Sequence, residues 1–477
     1  MSGIINQLKN GFFFTAIGKF SNLAMNLAVN AVLSRLLTPE DYGIVAIVQV
    51  FILFFQLFVE AGMGPAIIQN KELNDEDNST LFSFSIIIAI VLGVLYGLFG
   101  SILAEIYENE IYVKLSWVQA LSILFNGLNV VPTALLNKNK RFKELNFNII
   151  IANVLSGLIG IFLALRNYGV YALIFSAISL SLISFALNFR ASNIKILLSL
   201  RIEVLKSIFS FSINQFGFNF INYFSRNSDS ILIGRFMGEG ALGNYNKAYQ
   251  LLMMPNTLLL GIINPVLQPV FSEIQDDVQL IEDIYLKIVK LLALIGVPLS
   301  IYLSLFSEEI IFFIFGHQWV DAIQPFKTLS TTVWVQMTLS STGTIFQARN
   351  KTEHLLSTGI ITAMILITST VIGVMSNNLN IMALCLTIGF YVNFFINFNR
   401  VMTLALESNL LTLLIKFKIP FLIGVVEFIV LFFIRILIKD LGSEFIILLI
   451  SGTIFLLVLI AMLYLLGEID DIKEILL

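Results

Sequence analysis

In Lys19-Phe20-Ser21-Asn22-Leu23-Ala24-Met25-Asn26-Leu27-Ala28-Val29-Asn30, the polar residues Lys19, Asn22, Asn26 and Asn30 step by three or four positions through an apolar stretch. On a helix that spacing stacks them along one face, which carries amides and a cation through lipid depth. Two hundred positions later Asn219, Asn222, Arg226 and Ser230 form a second seam of the same kind. The offset runs on without a gap, pairing Phe20 with Phe220, Arg35 with Arg235, Gly43 with Gly243, Gln56 with the related Asn256, and Pro65 with Pro265. A fixed offset of this sort marks an internal duplication, and polar seams in apolar helices line a path.

Composition sets the solvent. Of 477 residues 57% are hydrophobic and only 12% charged, with a mean hydropathy of +0.91. A soluble domain carries about twice that charged fraction, so the chain reads as an integral membrane protein. Its formal charge of −3, spread over 477 residues, says little by itself, and no nucleic-acid partner is expected. Two histidines and the single cysteine, Cys385, exclude a His/Cys metal cluster and a disulfide framework. No cofactor is expected. The start, 1–10, has one lysine and no cleavage site after a short apolar run, and reads as a cytoplasmic lead-in.

Crossing about 30 Å of hydrocarbon takes about 20 apolar residues, and about fourteen such runs are present. Six fall at 12–37, 42–63, 81–104, 111–136, 147–165 and 168–189, and six more at 207–235, 241–271, 288–315, 326–346, 355–375 and 381–401. The last two, at 417–438 and 445–466, stand outside the repeat. The expected organisation is an N-lobe over 1–190, an amphipathic linker over 191–206, a C-lobe over 207–405, and two final spans over 406–477. Lys138, Lys140, Arg141 and Lys143 crowd one loop, and Arg190, Lys195, Arg201 and Lys206 the next alternate one. The positive-inside rule then puts both termini in the cytoplasm. A second connection, with Ile274, Val278, Ile281 and Tyr285 on one face, is expected in the interface plane.

Charges at membrane depth point to function because each is expensive there unless it meets a wet cavity or a partner. Lys19, Arg226 and Lys247 are the cations so placed, with Gln49, Gln56, Gln215 and Asn219 as amides of the same candidate cavity. Arg226 has Asp229 three residues on, so an intrahelical ion pair competes with ligand contact. Amides also serve as glue between helices. Arg35 and Arg235 are each followed by acids, Glu40 and Asp41 in one turn and Glu239 in the other, and are expected to lock those turns. Glu427 lies outside the repeat with Arg435 as a candidate partner. Ammonium and guanidinium groups bind phosphate oxygens, and amides suit sugar hydroxyls, so the cavity favours an anionic, hydroxyl-rich cargo. No GxxxxGK[ST] loop and no HExxH motif is present, and no loop is long enough for a catalytic domain, so no enzyme is expected.

The segment Leu33-Ser34-Arg35-Leu36-Leu37-Thr38-Pro39-Glu40-Asp41-Tyr42-Gly43, with Glu60-Ala61-Gly62-Met63-Gly64 and Ile67-Ile68-Gln69, resembles the opening of bacterial polysaccharide-biosynthesis flippases. Asp229-Ser230-Ile231-Leu232-Ile233-Gly234-Arg235, then Gly243-Asn244-Tyr245 and Ala248-Tyr249, is similar to the same family's second half. This is the Wzx-like branch of the superfamily that also holds the multidrug (MATE) exporters and the lipid II flippase. The resemblance implies an all-α membrane fold of two pseudo-symmetric six-helix lobes forming a V around a central cavity, two extra C-terminal helices, and alternating access. It implies as cargo an oligosaccharide repeat unit on undecaprenyl diphosphate, turned across the inner membrane, with membrane lipid, a polysaccharide polymerase and chain-length proteins as partners. Lys19 and Arg226 are the positions that would contact the diphosphate. An ion-coupled multidrug exporter is the alternative on the same fold, although the acid that such exporters carry in the first span is replaced here by Lys19 and asparagines.

Overall fold

The computed structural model describes residues 22–60, 63–70, 73–194, 223, 227–275, 277–438 and 441–469. Among them there are helices and no strands. In chain order these are α1 (22–36), α2 (Pro39–Glu60), α3 (Met63–Gln69), α4 (Asp75–Tyr107), α5 (Ile111–Lys138), α6 (Phe142–Leu165), α7 (Val170–Ser192) and α8 (227–237). There follow α9 (Glu239–Glu273), α10 (Val278–Leu305), α11 (Ser307–Ile314), α12 (Val320–Ser330), α13 (Val333–Leu339), α14 (Thr342–Ala348), α15 (Thr352–Met375) and α16 (Leu379–Arg400). The chain ends in α17 (Leu410–Lys416), α18 (Lys418–Ile438) and α19 (Glu444–Leu465). Contacts cluster into two units, 1–243 and 244–477.

Among the described residues ten helices are long and apolar enough to cross a membrane. They coincide with the expected second to sixth, ninth, and eleventh to fourteenth spans, so the protein is an all-α, multi-pass membrane protein. Large side chains such as Leu98, Phe162, Met375, Phe433 and Leu437 stay exposed on these helices, as apolar surface in contact with lipid should. The expected linker over 191–206 lies outside the described residues from 195 on.

Local sequence sets the helix ends. Thr38 caps α2: its Oγ1 accepts from Asp41 N at 3.2 Å and Asp41 Oδ2 accepts from Thr38 N at 3.1 Å, while Pro39 takes the first helical position, where no N–H is needed. Asn74 and Asp77 form a reciprocal capping box on α4, with Asn74 Oδ1 accepting from Asp77 N at 2.9 Å and Asp77 Oδ2 from Asn74 N at 3.2 Å. At 33 residues α4 is about 50 Å long, so its acidic first turn, Asp75 to Asp77, has length to spare beyond the hydrocarbon.

The expected tenth span is replaced by three short helices, α12, α13 and α14. Two hydroxyl clusters interrupt the ladder. Ser330, Thr331 and Thr332 bond back to the carbonyls of Lys327, Thr328 and Leu329 at 3.0, 2.7 and 2.7 Å. Ser340, Ser341 and Thr342 do the same to Met337, Thr338 and Leu339 at 2.6, 3.0 and 2.8 Å. Such side-chain bonds compete with the backbone for the same acceptors and break helices locally. The connection before α10 is corrected as well. It belongs to one helix with the ninth span, and Ile281 and Tyr285 are fully buried in protein instead of facing the interface.

The duplication is visible in backbone geometry. Within 1–243, α2 and the start of α9 cross at two glycines 200 positions apart. A Cβ at Gly43 would lie 1.8 Å from Glu239 O, and one at Gly243 would lie 2.0 Å from Pro39 O. Each glycine thus meets the residue that the other's counterpart predicts: 43 meets 239, and 243 meets 39. Further along, the left-handed turn residues Lys140 (φ 57°) and Asn167 (φ 61°) recur 210 positions later as Asn350 (φ 54°) and Asn377 (φ 49°). The i−5 bond that closes such a turn recurs with them, from Arg141 N to Leu136 O at 2.9 Å and from Lys351 N to Phe346 O at 2.8 Å.

Candidate functional site

A cavity of about 390 Å³ beside α10, α16 and α18 is lined by apolar and aromatic side chains such as Val297, Ile301, Trp334 and Phe428. The second, about 360 Å³ and within 1–243, has a polar wall in the middle of apolar helices. Helix α2 contributes Gln49 and Gln56, seven residues apart and so on one face. From α5 come Gln119, Ser122, Asn126 and Asn129, again at helical spacing, and from α7 Ser181 and Ser184. Ile52, Ile149, Ala177 and Leu180 complete it with apolar surface. No ionisable side chain is among these lining residues.

Neighbouring amides hold one end of this wall in place. Asn129 Oδ1 accepts from Asn188 Nδ2 at 3.0 Å and from Thr133 Oγ1 at 3.2 Å, while Asn148 Nδ2 donates to Asn188 Oδ1 at 2.9 Å. The middle differs. Gln119 and Ser122 are each 2% exposed, and Gln119 Oε1 and Ser122 Oγ make no hydrogen bond with any described group. Leaving a buried acceptor unsatisfied costs about 1–3 kcal/mol, so these two atoms are places where a ligand or water gains binding energy.

The sequence-derived candidates divide three ways. Gln49 and Gln56 come together in the cavity just described. Asn22 is turned to α6, its Oδ1 accepting from Asn153 Nδ2 at 2.6 Å and from Asn26 Nδ2 at 3.0 Å; Asn26 is exposed and Asn30 half-buried. Lys247 is 2% exposed, with its ammonium 4.7 Å from the Phe315 ring centroid and 5.2 Å from that of Trp319. Lys19, Gln215, Asn219, Asn222 and Arg226 lie outside the described residues. Gln119, Ser122, Asn126 and Asn129 are additions, legible by the same three-and-four spacing that marks Asn22, Asn26 and Asn30.

Two ion-pair expectations are corrected. Arg235 pairs with Glu108 at 2.9 Å, whereas Glu239 Oε1 accepts from Asn109 Nδ2 at 2.9 Å and from Tyr112 Oη at 3.0 Å. Asp41 serves as a cap on Thr38. Arg435 pairs with Glu308 at 3.7 Å and Glu309 at 3.4 Å, not with Glu427. Glu427 is fully buried in α18, and neither carboxyl oxygen has a hydrogen-bond partner among the described residues. Breaking nothing and removing an uncompensated polar group, Glu427→Met is expected to stabilise the protein by about 1–4 kcal/mol. Thermal denaturation in detergent checks this, and an unchanged or lower midpoint would mean that the carboxyl is held by a partner.

The family model described as "Polysaccharide biosynthesis protein" matches residues 32–324, more than half of the chain. The teichuronic acid biosynthesis protein TuaB of Bacillus subtilis (strain 168) is 26% identical over 358 residues, 74% of this chain and 74% of that protein. The lipopolysaccharide biosynthesis protein WzxC of Escherichia coli (strain K12) is 23% identical over 382 residues, 76% of this chain and 74% of its own. In fold, the structure of the lipid II flippase MurJ in its inward closed conformation covers 96% of this chain and 99% of its own at a TM-score of 0.77, with 17% identity. A duplicated all-helical membrane bundle, matched over 32–324 by that family's pattern, belongs to the polysaccharide biosynthesis protein family.

Proposed function

We propose that the protein is a flippase that turns undecaprenyl-diphosphate-linked oligosaccharide repeat units across the inner membrane for surface polysaccharide synthesis. The observation that carries this reading is a cavity whose described lining is amide and hydroxyl without a charge, built into the apolar bundle of a family named for polysaccharide biosynthesis. Hydroxyl-rich glycan needs such a wall, whereas a drug-like apolar cation gains nothing from it. The relatives' names support it: teichuronic acid and lipopolysaccharide biosynthesis for two, lipid II flipping for the structural neighbour. The reading carries no bond-making step; the protein's task is to shelter sugar from the bilayer interior.

In this reading 1–190 and 207–405 are the two lobes, 191–206 links them, and the spans of 406–477 are accessory. Both termini are cytoplasmic, and the lobes alternate access without hydrolysis. Lys19 and Arg226 receive the diphosphate, with Asn22, Asn26, Asn30, Gln215, Asn219 and Asn222 facing the glycan. A polymerase and chain-length proteins take the product on the far side.

Removal of the protein from its host is expected to accumulate lipid-linked repeat units inside while drug tolerance stays unchanged. The opposite pair of results indicates a drug exporter. In liposomes, the combined Lys19→Ala and Arg226→Ala protein is expected to flip a polyprenyl diphosphate glycan roughly a hundred-fold more slowly, two charge-assisted contacts being lost. Translocation at the full rate by a normally inserted double variant would remove both cations from the substrate path.

A further inference from the structure

We propose that the cavity between α2, α5 and α7 is a subsite for one uncharged sugar residue of the cargo. This rests on the flippase reading above and adds to it where, and to what chemistry, the glycan binds.

Six observations converge. Among the described residues the lining has amides and hydroxyls and no ionisable group, so a uronate or phosphate entering it would be stripped of water with no counter-charge from them, whereas a neutral ring would not. Gln119 Oε1 and Ser122 Oγ, both buried, have no hydrogen-bond partner among the described groups. A sugar hydroxyl donates and accepts at once, and two adjacent hydroxyls on a ring satisfy both atoms. Gln119 and Ser122 are three residues apart on one helix face, the separation that lets two side chains reach one small ligand. Apolar Ile52, Ile149 and Leu180 share the wall with them and offer the C–H face of a ring a dry contact. Size agrees: about 360 Å³ lies at the small end of ligand pockets, enough for a single ring with its substituents and too little for a repeat unit. Gln49, on the same wall, is exposed, so the cavity reaches the surface along α2.

The test is binding by purified full-length protein in nanodiscs, with three probes. These are bare polyprenyl diphosphate, the same lipid bearing an uncharged disaccharide, and the same lipid with a hexuronic acid as terminal sugar. Wild type is expected to prefer the uncharged glycolipid over the bare lipid, and Gln119→Leu to lose roughly ten-fold of that preference while its affinity for the bare lipid is unchanged. Ser122→Ala, a smaller change that keeps the helix, is expected to move in the same direction and guards against a folding defect in the first variant. Two results overturn the subsite: both variants keep the full preference for the uncharged glycolipid, which makes the cavity a water-filled gap, or the hexuronic acid probe binds wild type as tightly as the uncharged one. If wild type binds none of the three lipids, the flippase reading falls first and the subsite with it.

Discussion

Gly43→Ala, and separately Gly243→Ala, is expected to abolish folding. A methyl at 43 would sit 1.8 Å from Glu239 O and 2.8 Å from Glu239 Cα; at 243 it would sit 2.0 Å from Pro39 O and 2.8 Å from Pro39 C. In both cases the obstacle is backbone, which cannot rotate away as a flexible side chain can. Relief requires the starts of α2 and α9 to separate, and with them the Thr38 cap and the bonds from Asn109 and Tyr112 to Glu239. Overpacking a rigid contact costs about 1–3 kcal/mol and more where the backbone must move; here a cap and two hydrogen bonds to a carboxylate go as well, at about 1 kcal/mol or more each. The sum approaches the whole stability of a typical domain, about 5–15 kcal/mol. Gly359→Ala is the control: no atom lies within 4 Å of its Cβ position, and alanine in a helix interior gains about 0.5–1 kcal/mol over glycine. Membrane-inserted yield and melting midpoint should therefore collapse for the first two and hold or rise for the third. Full-length, normally melting Gly43→Ala protein would show that the two helix starts do not cross this closely.

The sequence pairs Gly43 with Gly243, but only as letters at a fixed offset; the reason for the pairing is the reciprocal crossing, a matter of three dimensions. Beyond Pro265 the duplication fades from the sequence because what is conserved between copies is a backbone angle. Lys140 and Asn350 occupy the same left-handed turn position, as do Asn167 and Asn377, yet the first pair shares no side-chain chemistry. Span positions were legible wherever apolar length alone decides, as in α4 or α19. At 326–346 the hydroxyls of Ser330 to Thr332 and Ser340 to Thr342 stand in the sequence, but that they redirect individual carbonyls and break the span is read only from the fold. Gln49 and Gln56 stand out as amides in an apolar run and do line one cavity. Gln119, Ser122, Asn126 and Asn129 show equally clear spacing but carry no charge among them, whereas the seam over 19–30 carries Lys19. Partners of charges were the least legible: Glu108 for Arg235 and Glu308 with Glu309 for Arg435 lie more than a hundred residues away from their arginines, where no local pattern reaches.

Lys247 separates a substrate contact from a structural cation. Its neighbours Asn244, Asn246 and Gln250 make a polar cluster in the sequence, which suggests a wet mouth, but the ammonium lies over two rings and is 2% exposed. The ring faces are electron-rich, so they hold a cation and repel an anion; a desolvated contact of this kind is worth about 2 kcal/mol. Lys247→Met keeps the aliphatic stem and fills the same space with a polarisable thioether that packs well on aromatic rings. It is expected to lose stability, by about 2 kcal/mol for the ring contact, and to flip glycolipid at the wild-type rate. Lys247→Glu places a carboxylate against both rings in a buried site, a penalty of several kcal/mol, and is expected to leave no folded protein. Trp319→Leu supplies the cross-check: it should destabilise the Lys247 protein more than it does the Lys247→Met background, and the difference, about 1–2 kcal/mol, is the coupling between ammonium and ring. If Lys247→Met instead stopped transport at unchanged stability, the ammonium would have to leave its rings during the cycle and meet the diphosphate. Melting and flipping measured on the same preparations therefore decide which role Lys247 has.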